Sequence, residues 1–216
     1  IQQPLSFETG VLLSMHQPAM HQPAKIVLAS NNAKKVAELL AHLPPHFNLV
    51  TQAELGIPSP AETGTTFVEN AIIKARHAAQ ISGLAAIADD SGLEVDALRG
   101  QPGIYSSRFA GELATDSDNN ERLLTAMTDI EDDARTANFY CVIVMLRHAL
   151  DPTPIIASGR WPGIILRAPR GQHGFGYDPL FFDPVLGRCA AELSPQEKYQ
   201  VSHRGQALRA LAKVLA

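Results

Sequence analysis

The central stretch of this 216-residue chain reads Leu84-Ala85-Ala86-Ile87-Ala88-Asp89-Asp90-Ser91-Gly92-Leu93. The apolar run over 84–88 predicts a short buried strand, with the two acids where that strand ends. Ligands bind at strand ends in α/β sheets, and adjacent carboxylates are costly unless a cation, a ligand or water shares them. The pair therefore indicates a Mg²⁺ and general-base site. An acidic surface turn is the alternative interpretation, because Asp, Ser and Gly all favour turns.

The segments around this stretch predict an α/β fold with a mixed sheet. Strands are expected over 25–29, 92–95, 134–147, 155–161 and 164–167, and helices over 33–43 and 116–127. A further helix begins near Thr66 with a capping box to Glu69, and two more begin near Ser194 and His203. Two helices have apolar faces, which we expect to be buried and which consist of Val36, Leu39, Leu40 and Leu43, and of Phe67, Ala71, Ala75, Ala78 and Ile81.

Composition predicts a globular protein of the cytoplasm. A formal net charge of −4 gives no basic excess for binding nucleic acid. Two cysteines, Cys141 and Cys189, do not make a disulfide framework in a chain of this length, which favours a reducing compartment. No stretch approaches the roughly 20 apolar residues of a membrane helix, so no membrane partner is expected.

The first 24 residues differ from the rest of the chain. The five-residue stretch from Met15 is nearly repeated from Met20, and the segment has no apolar periodicity. We interpret residues 1–24 as a flexible N-terminal extension and 25–216 as one folded domain. Met15 or Met20 is a candidate start, and a residual expression tag is an alternative.

Three other segments could carry chemistry. The turn 30–35 opens a helix, so its N–H groups, with the side chains of Lys34 and Lys35, suit a phosphate; a capped helix with solvated lysines is the alternative. Glu62 could complete a carboxylate set for Mg²⁺, although a helix N-terminus favours an acid in any case. In the glycine-rich segment 171–179, Phe175 or Tyr177 could stack on a flat ligand or instead pack into the core.

Six stretches, taken in order, resemble the inosine triphosphate pyrophosphatase family, the non-standard purine nucleoside triphosphate diphosphatases, and its bacterial branch most. Each stretch alone is unspecific, but their order and spacing match across 25–216. The matching stretches are 30–38, 62–71, 88–93, 102–108, 174–179 and 202–205.

The resemblance implies a long mixed sheet with two α/β lobes flanking a substrate cleft, in a homodimer. It implies Mg²⁺-dependent hydrolysis of ITP, dITP and XTP to the monophosphate and pyrophosphate. By position, Asp90 would be the general base, and Asp90, Glu62 and Asp89 the metal ligands. The substrate-binding residues would be Ser30, Asn31, Asn32, Ala33, Lys34, Lys35, Lys74 and Lys198 for the phosphates, Ser91, and Phe175, Gly176, Tyr177, Asp178, His203 and Arg204 for the base.

Two other functions stay open at this point. One is a related metal-dependent hydrolase that acts on other modified nucleotides. The other is a nucleotide sensor that binds in the same cleft without turnover. A substrate panel would distinguish all three.

Overall fold

The computed structural model of the protein describes residues 25–43 and 47–215, so the predicted extension over 1–24 lies outside the described residues. Seven strands form one sheet in the order β2-β1-β3-β4-β5-β6-β7. Their bounds are β1 Lys25–Leu28, β2 Asn48–Thr51, β3 Ala85–Val95, β4 Thr136–Leu146, β5 Ile155–Ile165, β6 Phe181–Asp183 and β7 Arg188–Cys189. β1 pairs in parallel with β2 and β3, and every other pairing is antiparallel.

Among the described residues, five α-helices accompany the sheet, and local signals set their first residues. They are α1 Ala33–His42, α2 Phe67–Ser82, α3 Asp116–Ala126, α4 Pro195–Val201 and α5 His203–Leu215. Capping boxes open α2, α3 and α4 at Thr66, Thr115 and Ser194. Gly83 ends α2 with a left-handed backbone, at φ 70°, which glycine adopts without steric cost.

The apolar core occupies both faces of the sheet. Ala86 and Ala88 of β3 pack beneath α2, whereas Ile87 packs with α1 and α5 on the opposite face. A third cluster, around Trp161 and Phe181, joins the far end of the sheet to α3. We call β1, β2, α1 and α2 the first lobe, and α3, β6, β7 and α4 the second lobe. The predicted α/β fold with a mixed sheet and a cleft between two lobes is confirmed.

Two predicted strand breaks are wrong. β3 runs without interruption from Ala85 to Val95, so Asp89 and Asp90 lie within the strand and not at its end. β5 likewise continues through Pro162 and Gly163. In both cases β4 pairs along the whole segment and keeps the backbone extended through residues that favour turns. Cross-strand pairing thus overrides local turn preference.

The helical faces are narrower than their patterns predict. Leu39 and Leu43 are buried, but Leu40 is 46% exposed, and Ile81 at the end of α2 is 52% exposed. Both lie on helix sides that the sheet does not cover. The strands that the sequence did not reveal, β2, β6 and β7, are two to four residues long. That length is too short to show a period of two.

Candidate active site

The cleft lies where β1 stops and its parallel neighbour β3 continues. Leu28, the last residue of β1, is in register with Ile87, and β3 runs on to Val95. A cavity of about 300 Å³ fills the space beyond the end of β1. Ligands in open α/β sheets bind at the carboxyl ends of parallel strands, and here that end belongs to β1.

Asp90 points toward α2 and is the carboxylate of the pair that lines this cavity. Its Oδ1 lies 3.1 Å from Nζ of Lys74, and the same Nζ lies 2.8 Å from Oε1 of Glu62. Its Oδ2 is buried without a hydrogen-bond partner among the described residues. Burial raises the pKa of Asp90 above its ordinary value, although Lys74 and Lys35 act in the opposite direction.

Lys74 joins the two acids of this side of the cleft. Although burial disfavours its charge, the carboxylates of Asp90, Asp89 and Glu62 raise the pKa of Lys74. Nη1 of Arg108 lies 3.7 Å from Oε2 of Glu62 and adds a second cation. The side therefore combines the buried carboxylate of Asp90 and the partly exposed carboxylate of Glu62 with two cations.

Asp89 points to the opposite face of β3, because successive side chains of a strand alternate. Its Oδ2 lies 3.2 Å from Nη2 of Arg204 and 3.7 Å from Nζ of Lys35, and its side chain is fully buried. Although burial favours the neutral acid, Lys35 and Arg204 hold the pKa of Asp89 well below its usual range. Asp89 is thus an ionised partner of Arg204.

The structure does not bring the three predicted metal ligands, Asp90, Glu62 and Asp89, together on one side of β3. Among residues 25–43 and 47–215, no three His, Cys, Asp or Glu side chains form a group that could hold a metal ion. Strand alternation separates Asp89 from the other two acids. Asp90 and Glu62 remain together through Lys74, and one or two carboxylates suffice for a Mg²⁺ that keeps several waters and binds substrate phosphates.

The turn 30–35 opens α1 at the edge of the cleft. Oδ1 of Asn32 caps the helix by accepting from the backbone N–H groups of Lys34 and Lys35, each at 3.1 Å. Oγ of Ser30 accepts from the Asn32 N–H at 3.3 Å. By helix geometry, the N–H of Ala33 is then the first one that the cap leaves for an anion. The predicted helix cap is present, but the two lysine side chains are not both solvated.

Lys35 and Lys34 differ in exposure. Lys35 lines the cavity with 17% of its side chain exposed, whereas the Lys34 side chain is 60% exposed and lies 3.4 Å from Asp116. Asn31, the remaining residue of the turn, donates to Oγ of Ser59 at 2.7 Å. That hydrogen bond ties the turn to the loop that precedes α2.

The glycine-rich loop forms the other wall of the cleft. Gly174 has φ 77°, and a side chain there would come within 2.0 Å of Oδ2 of Asp178. This close approach lets the Asp178 carboxylate accept from the Phe175 N–H at 2.8 Å and from Nζ of Lys198 at 2.5 Å. Burial raises the pKa of Asp178, while the Lys198 ammonium acts in the opposite direction.

The two aromatic residues of the loop have different environments. Tyr177 is buried, and its hydroxyl donates to the Ser106 carbonyl at 2.8 Å. Phe175 is partly exposed and faces the cavity. Three cations lie within 6 Å of its ring centroid, at 5.5, 4.9 and 5.8 Å, and they belong to Lys34, Lys198 and Arg204. Phe175 is therefore the ring that a flat ligand can reach.

His203 and Arg204 begin α5 and complete this wall. Arg204 is 3% exposed and donates to Glu38 at 2.5 Å, to Asp89 at 3.2 Å and to Oγ of Ser91 at 2.9 Å. His203 stacks on Phe139 with ring centroids 4.8 Å apart, and its Nδ1 has no hydrogen-bond partner among the described residues. Burial, with the charges of Arg204 and Lys198, holds the pKa of His203 well below its usual range.

Several polar residues in the cleft or in contact with its residues were not predicted from the sequence. Glu38 binds Arg204, Arg108 lies beside Glu62, and Asp116 contacts Lys34 and the Gly176 N–H. Helical spacing gives one usable signal, because Glu38 follows Lys35 by three residues on α1. The contacts of Arg108 and Asp116 join segments far apart in the chain, so no local sequence pattern predicts them.

The fold and the cleft define an α/β protein with a cation-rich cleft centred on a buried carboxylate. In the described part of the chain, no helix is both long and apolar enough to cross a membrane. The model of the Ham1 family matches residues 26–214, and the chain therefore belongs to the Ham1 family.

Relatives and solved structures agree with this assignment. The chain is 59% identical to a dITP/XTP pyrophosphatase of Vibrio cholerae over 192 residues, 88% of this chain and 96% of that protein. It is 57% identical to a dITP/XTP pyrophosphatase of Shigella flexneri, covering 98% of that protein. The structure of a HAM1 protein from Coxiella burnetii superposes with a TM-score of 0.84 at 51% identity, over 89% of this chain and 98% of that one. The family resemblance found from the six motifs is confirmed.

Proposed function

We propose that the protein hydrolyses ITP, dITP and XTP to the nucleoside monophosphate and pyrophosphate. The names of the relatives support this reaction. The observation that carries it is the position of Asp90, a cleft-facing carboxylate with one unpartnered oxygen beside Lys74 and Lys35. A triphosphate needs positive charge, and water attack at its α-phosphorus needs a base.

Asp90 would act as the general base. Its Oδ1 is occupied by Lys74, so the unpartnered Oδ2 would accept the proton of the attacking water. Lys35 and the Ala33 N–H would bind the phosphates at the start of α1, with Ser30, Asn31 and Asn32 shaping the turn. Lys74 would neutralise charge on the substrate and keep Asp90 ionised.

Asp90 and Glu62 would hold Mg²⁺ together with the substrate phosphates. The carboxylates of Asp90 and of the partly exposed Glu62 offer oxygen donors of the kind that Mg²⁺ takes. When bound, the cation supplies positive charge to the phosphates and lowers the pKa of a coordinated water.

The wall of the cleft formed by the glycine-rich loop and the start of α5 would select the nucleobase of the substrate. Phe175 offers a stacking surface, and neutral His203 offers one N–H donor to a 6-oxo group. Lys198, which the resemblance assigns to the phosphates, contacts Asp178 and lies over the Phe175 ring, so with Arg204 it would bring positive charge to this wall, which Asp178 and Gly176 would shape. Adenine presents an amino group at position 6, which would leave these donors without an acceptor. Ser91, held by Arg204, would contact the substrate at the centre of the cleft.

The test is pyrophosphate release by the purified protein with Mg²⁺ and a panel of ITP, dITP, XTP, ATP and GTP. We expect the first three to be hydrolysed far faster than ATP and GTP. Equal turnover of ITP and ATP, or release of orthophosphate alone, would contradict the proposal. Binding of ITP without turnover would instead identify a sensor.

We extend the proposal to assembly and location. The family resemblance implies a homodimer, which light scattering after size-exclusion chromatography would test directly. The substrates of the enzyme would arise in the cytoplasmic nucleotide pool. Both cysteines are free and buried, which is compatible with a reducing compartment. Residues 1–24 would be dispensable for catalysis, because they carry none of the matched motifs.

A further inference from the structure

We infer that Asp116, on α3, is a positioning residue. It holds the glycine-rich loop 171–179 in place and connects this loop to the turn 30–35. The inference rests on the proposed function only for its effect on catalysis. Asp116 is the first residue of α3, in the second lobe, and its side chain lines the cleft. None of the six matched motifs contains it.

Two residues of α3, Asp116 and Asn120, bind both backbone polar groups of Gly176. Oδ2 of Asp116 accepts from the Gly176 N–H at 2.9 Å, and Nδ2 of Asn120 donates to the Gly176 carbonyl at 2.8 Å. Gly176 has a left-handed backbone, at φ 60°, between Phe175 and Tyr177. Two hydrogen bonds to one peptide segment fix its orientation, and therefore the directions of the neighbouring side chains.

The helix that provides these contacts is itself anchored to the 3₁₀ helix Gly103–Arg108 and the residues that follow it. Oδ1 of Asn119 accepts from the Ala110 N–H at 2.9 Å, and its Nδ2 donates to the Ser107 carbonyl at 3.1 Å. Oγ of Ser106 in turn accepts from the Leu93 N–H of β3 at 2.9 Å. Gly176 is thus held against the strand that carries Asp90.

The same carboxylate reaches the first lobe. Oδ2 of Asp116 lies 3.4 Å from Nζ of Lys34, which also lies over the Phe175 ring. More than half of each side chain in this ion pair is exposed, and exposed pairs contribute little to stability. The hydrogen bond to Gly176 is therefore the larger effect, and the ion pair a smaller addition that joins the two lobes.

The kinetic test uses ITP and ATP with three variants. Asp116→Ala should raise KM for ITP roughly fivefold with little change in kcat, because the loss of one solvent-exposed hydrogen bond weakens ground-state and transition-state binding alike. KM for ATP should change less. Asp116→Asn retains an acceptor for the Gly176 N–H and should stay within about twofold of wild type. Glu121→Gln, an exposed acid on the same helix, is the control.

The kinetic outcomes decide the role. If Asp116→Ala lowers kcat for both substrates equally, Asp116 serves the chemistry or the fold, and the inference is overturned. If Asp116→Asn is as damaging as Asp116→Ala, the hydrogen bond to Gly176 is not what matters, and the inference is also overturned.

Amide hydrogen exchange provides a readout that needs no turnover. In Asp116→Ala, the amides of residues 174–178 should exchange at least about tenfold faster, while the amides of β3 keep their protection. Glu121→Gln should leave both unchanged. Unchanged exchange at 174–178 would overturn the inference even in an active enzyme. Absence of pyrophosphate release by the wild type would reject the proposed function, whereas the exchange result would still decide the role of Asp116.

Discussion

Asp89 and Asp90 are neighbours in the chain, yet their side chains lie on opposite faces of β3 in different environments. Asp89 is fully buried and has Arg204 and Lys35 as counter-ions, which hold its pKa well below the usual range. Asp90 lines the cleft beside Lys74 and has a pKa that burial raises. One carboxylate therefore stabilises the fold around the cleft, while the other is available for chemistry.

The largest expected effect is a loss of catalytic activity when the cleft-facing carboxylate is changed. Asp90→Asn should lower kcat for ITP at least 100-fold, because a general base contributes about 10²–10⁴-fold. The fold should be retained, since the amide keeps the shape and the raised pKa shows that the ionised form is costly there. We would measure pyrophosphate release and the melting temperature together. More than about a tenth of the wild-type rate would contradict the role.

The next effect separates the two acids by stability. Asp89→Asn should lower the free energy of unfolding by about 3 kcal/mol, because the buried guanidinium of Arg204 then lacks the charge of one carboxylate partner. Asp90→Asn, the matched control, should not lower it. Urea unfolding at neutral pH measures both, and equal losses for the two variants would remove the distinction between the two sides.

The same pair predicts a pH dependence. The folded-state pKa of Asp89 is depressed, so its contribution to stability is present above its unfolded pKa of about 4 and is lost as the pH falls below that value. Wild type should therefore lose stability on acidification below about pH 4 more steeply than Asp89→Asn. Parallel curves for the two proteins would show that folding does not lower the pKa of Asp89.

Arg204 is expected to affect both the stability of the fold and the choice of substrate. Asp89→Asn is the control that separates the two effects. Arg204→Ala should shrink the ratio of kcat/KM for ITP to that for ATP by roughly 5- to 150-fold, mainly by lowering the ITP value. Asp89→Asn breaks the same ion pair but keeps the guanidinium. If both variants shrink the ratio equally, Arg204 supports the fold and does not read the base.

The smallest effect compares the two lysines of the turn. Lys35→Ala should raise KM for ITP about tenfold, the effect of one charge-assisted hydrogen bond, while Lys34→Ala should change it less than about threefold. Lys35 faces the cavity and Lys34 is mostly exposed. A larger effect of Lys34→Ala would mean that the turn binds phosphate with the other lysine.

The sequence predicted the local parts of the fold well. Helix starts at Ala33, Phe67 and Pro195 follow from caps that act within three residues. The order of the six motifs identified the family. It did not predict that β3 and β5 are continuous, because β4, which pairs with both, is distant in sequence.

The chain by itself therefore determined the helix caps, the family and the two candidate acids. Only the tertiary structure decided which acid faces the cleft, because the register of β3 against β1 and β4 sets the direction of each side chain. It also brought Glu38 to Arg204, 166 residues away, and Asp116 to Gly176, 60 residues away. Such contacts depend on the order of strands in the sheet, and no local interaction along the chain encodes that order.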